Sequence, residues 1–582
     1  MYVLRSVALV LAALWAVSGA SFANDADPII IYDTQFHPEY ARNGMVVSQE
    51  YYASQAGLEI LRAGGNAIDA AVATGFALAV THPQAGNLGG GGFFLAYIRE
   101  EDRVIAIDYR EMAPSAAHRD MFLNEKGDVD NAKARFSLHA SGVPGTVMGL
   151  TTALEKYGTL PLAQVMAPAI RLAGEGFPMT WGLYDSLGRY QKRLKADPVS
   201  GKNYFKADGS RYAPGEIFKQ PDLATTLRLI AENGAKGFYE GPVADKLVAA
   251  MQAGGGIMTH EDLKNYKAVE REPIFGTYDN YKVATMPPPS SGGVHVIEML
   301  NVLEDWDLKS LGHNSAAYIH RLTETMKYAY ADRSKYLGDP DFFPVPVKGL
   351  TSKEYADTIR AKINLEKATP STEIGPAPSL PDESHDTTHF SVVDKAGNMV
   401  ANTYTLNFTY GNGKSVTGAG FLLNNEMDDF SAKPGTPNAF GLLGGEANAI
   451  EPGKRPLSSM TPTLLFKDGQ PFMATGSPGG STIITVVLQS VLNVMEFDMN
   501  VKAAISVPRI HHQWFPDRLA MEPGHSVDTR RLLGAMGHQV KMGETDAWDG
   551  VLGSAQSIIL APNGIIMGAA DPRRPGSTAA GY

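Results

Sequence analysis

The chain has no cysteine. That removes disulfide staples, thiolate metal ligands and a thiol nucleophile together. Positive charge is also in short supply: 51 Lys and Arg against 62 Asp and Glu leave a net charge of −11. This balance offers no footprint for nucleic acid or an anionic membrane, so the expected partner is a small molecule whose anionic groups meet a few local donors. Long apolar runs are missing too. The stretch Val7 to Val17 falls short of the roughly 20 residues a membrane span needs. With Arg5 before it and Ser21-Phe22-Ala23 after it, it reads as a secretory signal over 1–23, cleaved after Ala23 or Ala20. The mature chain is expected to be exported with no membrane anchor, periplasmic or secreted if the source is Gram-negative. Gly86 to Phe94 lacks the Lys-Ser/Thr of a nucleotide loop, and no HExxH pattern supports the adjacent His511-His512. Neighbouring side chains on one element rarely converge on one ion, so no metal and no cofactor is expected.

What is present suffices for a large core: 582 residues, 44% of them hydrophobic. Asn66 caps a predicted buried helix running to Val80, and Val147 to Tyr157 reads as a shorter helix closed by Gly158. Residues 160–365 look mainly helical, interrupted by Met286-Pro-Pro-Pro-Ser-Ser-Gly-Gly293. A Pro-rich polar stretch from Thr369 to His385 then meets Asp386-Thr387-Thr388-His389. Immediately afterwards Phe390 to Asp394, a turn at Lys395 to Asn398 and Met399 to Thr405 predict a hairpin. A threonine at this junction, once it became a chain N-terminus, would carry nucleophile and base in one residue. Thr482 to Met495 reads as an apolar helix, and the preceding Gly476-Ser-Pro-Gly-Gly-Ser481 suits an oxyanion site through its amides. Asn407-Phe-Thr409 matches a glycosylation acceptor pattern, which is common by chance.

Seven blocks stand in one order: Gly-Gly-Asn-Ala-Ile-Asp-Ala-Ala at 64–71, Asp-Tyr-Arg-Glu-Met-Ala-Pro at 108–114, Asp-Thr-Thr-His-Phe-Ser-Val-Val-Asp at 386–394, Thr-Tyr-Thr-Leu-Asn at 403–407, Leu-Leu-Asn-Asn-Glu-Met-Asp-Asp-Phe at 422–430, Arg-Pro-Leu-Ser-Ser-Met at 455–460 and Gly-Ser-Pro-Gly-Gly-Ser at 476–481. With the terminal Ala-Gly-Tyr582, they resemble the γ-glutamyltranspeptidase family across essentially the whole mature chain.

That resemblance implies an α+β, N-terminal-nucleophile hydrolase fold: a four-layer αββα sandwich with a largely helical mid-section. It implies one precursor that cuts itself between Asp386 and Thr387. The products would be a large subunit, 24–386, ending in a flexible linker over 366–386, and a small subunit, 387–582, of 582 − 386 = 196 residues. The two would form one intertwined domain. In the family's pattern Thr387 is the nucleophile, Thr405 orients it, and the amides of Gly479 and Gly480 form the oxyanion hole. Arg110, Ser458 and Ser459 would hold the donor's α-carboxylate, while Asn407, Glu426 and Asp429 would receive its α-ammonium. Donors would be glutathione and other γ-glutamyl compounds; acceptors would be water, amino acids or dipeptides. His389 and Asp428 stay open between supporting and purely structural roles. Two departures bear on preference. Glu426 replaces a glutamine found in some bacterial members, and Phe440 stands in the lid stretch 434–445 where some members have tyrosine. A lost lid hydrogen bond would favour hydrolysis over transfer. The alternatives are a glutaryl-cephalosporin acylase of the same fold, which needs no ammonium site, and an inactive exported binding homologue, which needs no intact Thr387.

Overall fold

The computed structural model describes residues 35–374, 387–543 and 551–582. The signal segment, the linker beyond residue 374 and Asp386 lie outside the described residues.

Two seven-stranded antiparallel sheets face each other. One runs Glu39–Ala41, Ile566–Ala570, Gln556–Leu560, Gln470–Thr475, Thr463–Lys467, Tyr281–Thr285, Ile274–Tyr278. The other runs Thr578–Gly581, Gly44–Ser48, Thr388–Asp394, Met399–Thr405, Gly91–Ile98, Arg103–Tyr109, Val269–Arg271. Period-2 alternation explains how the second sheet is buried on both faces. Val47, Phe93, Leu95, Val393, Met399 and Ala401 point into the inter-sheet core with Ala284, Leu464, Ala474 and Ile558. Their chain neighbours Val46, Phe94, Ala96, Val392 and Val400 point the other way, onto the helices Tyr51–Arg62, Ala67–Thr81 and Thr146–Tyr157. Helices Gly292–Leu303, Ala316–Tyr336 and Ile483–Met495 join the core of the first sheet. The result is the expected helix–sheet–sheet–helix stack.

Local sequence sets the ends of these elements. Asn66 Oδ1 accepts from the amides of Ile68 and Asp69, while the Asp69 carboxylate returns a bond to the Asn66 amide. Replacing such a cap by alanine costs about 1 kcal/mol. The predicted hairpin forms, its first strand beginning two residues early, at Thr388. The section 160–365 is mainly helical, as expected, with short strands among its helices. Immediately before the Pro-rich break at 286–293, Val269–Arg271, Ile274–Tyr278 and Tyr281–Thr285 are strands, not helix. Their β-branched and aromatic content favours a half-buried sheet edge. Among the described residues, no helix is long and apolar enough to cross a membrane.

Candidate active site

The hairpin brings the first two site residues together. Its register pairs Thr388 with Tyr404, so the next positions outward, Thr387 and Thr405, meet beyond the last ladder pair. The Thr387 hydroxyl donates to the Thr405 hydroxyl at 3.4 Å, a long contact, and both residues are buried. Thr405 Oγ1 also accepts from the Asn407 amide at 2.8 Å. That bond depends on a sharp turn: Asn407 has φ of 73°, a left-handed conformation that asparagine tolerates better than most residues. The glycine-rich strand entry beside it serves close packing. A Cβ on Gly90 would lie 2.0 Å from the Thr405 carbonyl oxygen, and Asn87 Nδ2 donates to that same oxygen at 2.9 Å.

A small cavity opens at this point, lined by Arg110, Thr387, Thr405, Asn407, Glu426, Asp429, Ser458, Ser459 and Gly480 among others. Residues scattered over more than 350 positions of sequence thus share one small space. Gly479 sits one residue behind the wall. Both glycines adopt positive φ, 134° and 52°, and a Cβ on Gly479 would meet Thr482 Oγ1 at 2.4 Å. This bend lets Gly480 reach the cavity just before the helix Ile483–Met495.

The charges are arranged asymmetrically. Arg110, at the end of strand Arg103–Tyr109, donates to Glu426, to Asp429 and to the Pro456 carbonyl. Glu111 stands 3.6 Å from the same guanidinium. Burial would lower the Arg110 pKa, but these carboxylates outweigh it and raise it. Burial pushes Glu426 well above the carboxylate range and raises Asp429, with Arg110 opposing both shifts. It raises Glu111 to about 7. Three acids around one arginine leave this wall short of positive charge, which suits an incoming ammonium.

The same cavity carries hydroxyls and a cation that the sequence did not single out, Arg333, which feels the charges of Asp429 and Arg110. The break at 286–293 cradles the serine pair. Ser291 donates twice to the Ser458 carbonyl, from its amide and its hydroxyl, both at 2.8 Å, and Ser458 donates back to Pro289 at 2.9 Å. Gly292 is needed for that approach, since a Cβ there would lie 1.9 Å from Thr461 Oγ1. Arg333 from helix Ala316–Tyr336 then reaches Ser459 Oγ at 3.3 Å and Ser291 Oγ at 3.0 Å. Ile319, Met326, Tyr330 and Arg333 form one buried helical stripe, so Arg333 continues an apolar face.

Other sequence candidates fall into structural roles. His389 is buried between Thr403 and Ser391, and burial lowers its pKa to about 3. Asp428 turns away from the cavity to Arg135 and the amide of Ala439 in the lid stretch. Phe440 covers the cavity edge, packs against Phe408 with ring centroids 5.8 Å apart, and accepts from Gln513 through its carbonyl. Asn407, buried in the wall, is no accessible glycosylation site. His511 bonds Thr485 and Gln513, and His512 bonds Asp517. Ligating atoms of His320, Glu324 and His538 lie within 4.8 Å of one another. There the Lys327 ammonium sits 2.8 Å from Glu324, and His320 bonds His538 and the Asn364 carbonyl, each at 2.7 Å. That cluster is satisfied by its own hydrogen bonds, with an ammonium where an ion's charge would stand.

Comparison with known proteins identifies the family. The family model described as Gamma-glutamyltranspeptidase matches residues 53–581. A glutathione hydrolase proenzyme of Escherichia coli (strain K12) is 51% identical, covering 100% of this chain and 99% of its own. The acylase ACY 1 proenzyme of Pseudomonas sp. (strain SE83) is 37% identical over 93% of this chain and 94% of its own. Among solved structures, a cephalosporin acylase from Bacillus halodurans superposes with a TM-score of 0.83 at 30% identity, covering 97% of this chain and 99% of its own. On sequence, fold and cavity together, this chain belongs to the γ-glutamyltranspeptidase family.

Proposed function

We propose that the protein is a self-cleaving γ-glutamyl hydrolase and transferase in which Thr387 is the nucleophile. One observation carries this reading. Thr387 opens into a cavity lined both by acids and by serines with a guanidinium, the two kinds of group an amino acid's zwitterionic end requires.

In the precursor, Thr387 Oγ attacks the Asp386 carbonyl and the peptide C–N bond breaks. The resulting ester is opened by water, leaving a carboxylate on Asp386 and a free amine on Thr387. Large and small subunits, 24–386 and 387–582, would then share both sheets, because each sheet contains strands from before and after residue 387. In the mature enzyme Thr387 Oγ attacks the donor's γ-carbonyl. Its α-amine, with an ordinary pKa of about 7.7–8.0, accepts the proton and passes it to the leaving amine. Gly479 and Gly480 amides receive the negative oxygen, and Thr405 holds the nucleophile in line. Water or an amino-acid amine then takes the γ-glutamyl group from the ester. Glutathione, named in its relatives, is the donor class this cavity suits.

The acylase alternative shares the fold, as the Bacillus halodurans superposition makes plain. It needs no ammonium site, whereas Asn407, Glu426 and Asp429 all line this cavity. The test is a donor panel of glutathione, a γ-glutamyl anilide and a glutaryl anilide, each with and without glycylglycine, alongside a denaturing gel. Two fragments and a strong preference for glutamyl over glutaryl are expected. Preference for glutaryl, or an active uncut chain, overturns the proposal.

A further inference from the structure

Arg110 is already committed. Its guanidinium is spent on Glu426, Asp429 and the Pro456 carbonyl, with Glu111 beside it. Arg333 lines the same cavity, is 5% exposed, and its bonds run to the neutral hydroxyls of Ser459 and Ser291. Among the described residues no carboxylate lies within ion-pair distance of it. A buried guanidinium bonded only to hydroxyls is costly, and the cost is relieved by an anion arriving at its free N–H groups. Ser459 strengthens the point. Its oxygen accepts from Arg333, which leaves its own proton to be donated onward into the cavity. Ser458 Oγ likewise accepts from the Met460 amide at 3.0 Å and keeps its proton available.

We propose that Arg333 is a second guanidinium for the donor's α-carboxylate, acting with Ser459 beside the Arg110–Glu426–Asp429 cluster. Arg110 alone would have to release a carboxylate for each substrate bound. With Arg333 present, the acids keep their counter-ion until the donor's ammonium replaces part of it, and the two charged groups of the donor meet different side chains. Arg333 is thereby a specificity-determining residue for groups carrying a carboxylate next to the ammonium.

This rests on the γ-glutamyl reading, and the test separates the two. Inhibition of anilide turnover by L-glutamate is compared with inhibition by 4-aminobutyrate, which keeps the amine and the far carboxylate but lacks the α-carboxylate. Wild type, Arg333→Met and Arg333→Lys are measured as mature, self-cleaved protein. Wild type inhibited by neither compound contradicts the donor reading itself. With that reading intact, Arg333→Met is expected to weaken glutamate about 30-fold, the loss of one charge-assisted contact, while moving 4-aminobutyrate less than about 3-fold. Arg333→Lys, which keeps the charge without the fork, should weaken glutamate by about 5- to 10-fold with the same selectivity, and decides the question alone should the methionine variant fail to fold. Equal weakening of both inhibitors, or of neither, overturns the assignment.

Discussion

The hydroxyls of Thr387 and Thr405 lie 3.4 Å apart, although the residues are 18 positions apart in sequence. Antiparallel register delivers this contact, and the Asn407 amide fixes the Thr405 side of it. Thr405→Ala should therefore fold but lower both self-cleavage and donor turnover by roughly 100-fold, the scale of losing one positioned hydrogen bond in a closed site. Thr405→Ser should recover most of both. Fragment appearance on a gel and initial rates check this; full activity in the alanine variant would show that the contact is incidental.

Arg110 holds three acids in a buried space. Arg110→Met leaves Glu426, Asp429 and Glu111 without their cation, which should cost about 3–5 kcal/mol of stability. Because burial already raises all three acids, lowering the pH toward 5 lets them take protons and should recover part of the loss. Thermal melts of wild type and variant at pH 5 and pH 8 read the difference, and a pH-independent gap would contradict the charge account.

Phe440 meets the cavity with a ring that cannot hydrogen-bond. Phe440→Tyr adds one lid hydrogen bond worth about 0.5–1.5 kcal/mol. The ratio of transfer to hydrolysis should rise roughly 2- to 10-fold, measured with glycylglycine as acceptor. An unchanged ratio means that lid opening does not control the partition.

A second buried network predicts a pH effect on stability. His295 Nδ1 lies 2.7 Å from Glu298, and burial raises Glu298 to about 8 while lowering His295 to about 3. The pair is thus neutral, the protonated acid donating to the imidazole. A carboxyl raised on folding contributes stability below its unfolded pKa of about 4.3, and that contribution is lost as pH rises through about 8. Glu298→Gln keeps a donor and cannot ionise. Its melting temperature should fall less than that of wild type between pH 5 and pH 8.5; parallel curves would sink the idea.

How much was legible varies by residue. Asn66, the Thr387 hairpin and the Gly479-Gly480 bend announce themselves, because caps, turns and glycine conformations are local. The strands at 269–285 were hidden inside a helical neighbourhood, since short edge strands owe their state to a partner strand remote in sequence. Arg333 was harder still. On its own helix it looks like an ordinary last-turn cation, and only Ser291 and Ser459, from distant segments, turn it into a cavity wall. The cluster of Arg110 with Glu426 and Asp429 adds to another expectation: the arginine proposed for the carboxylate and the acids proposed for the ammonium are bonded to each other.

The sequence by itself determined the chemistry on offer: no thiol, a threonine placed at a linker-to-strand junction, glycines before an apolar helix, and a set of charged residues in the order of one family. It determined the hairpin that follows Thr387, since a polar turn between two short strand-like stretches is a local signal. The tertiary structure alone decided which charges face which. Coulombic and desolvation energies depend on distance and burial, and both are set by the meeting of segments hundreds of residues apart. That is why Arg110 stands among acids, and Arg333 stands among hydroxyls.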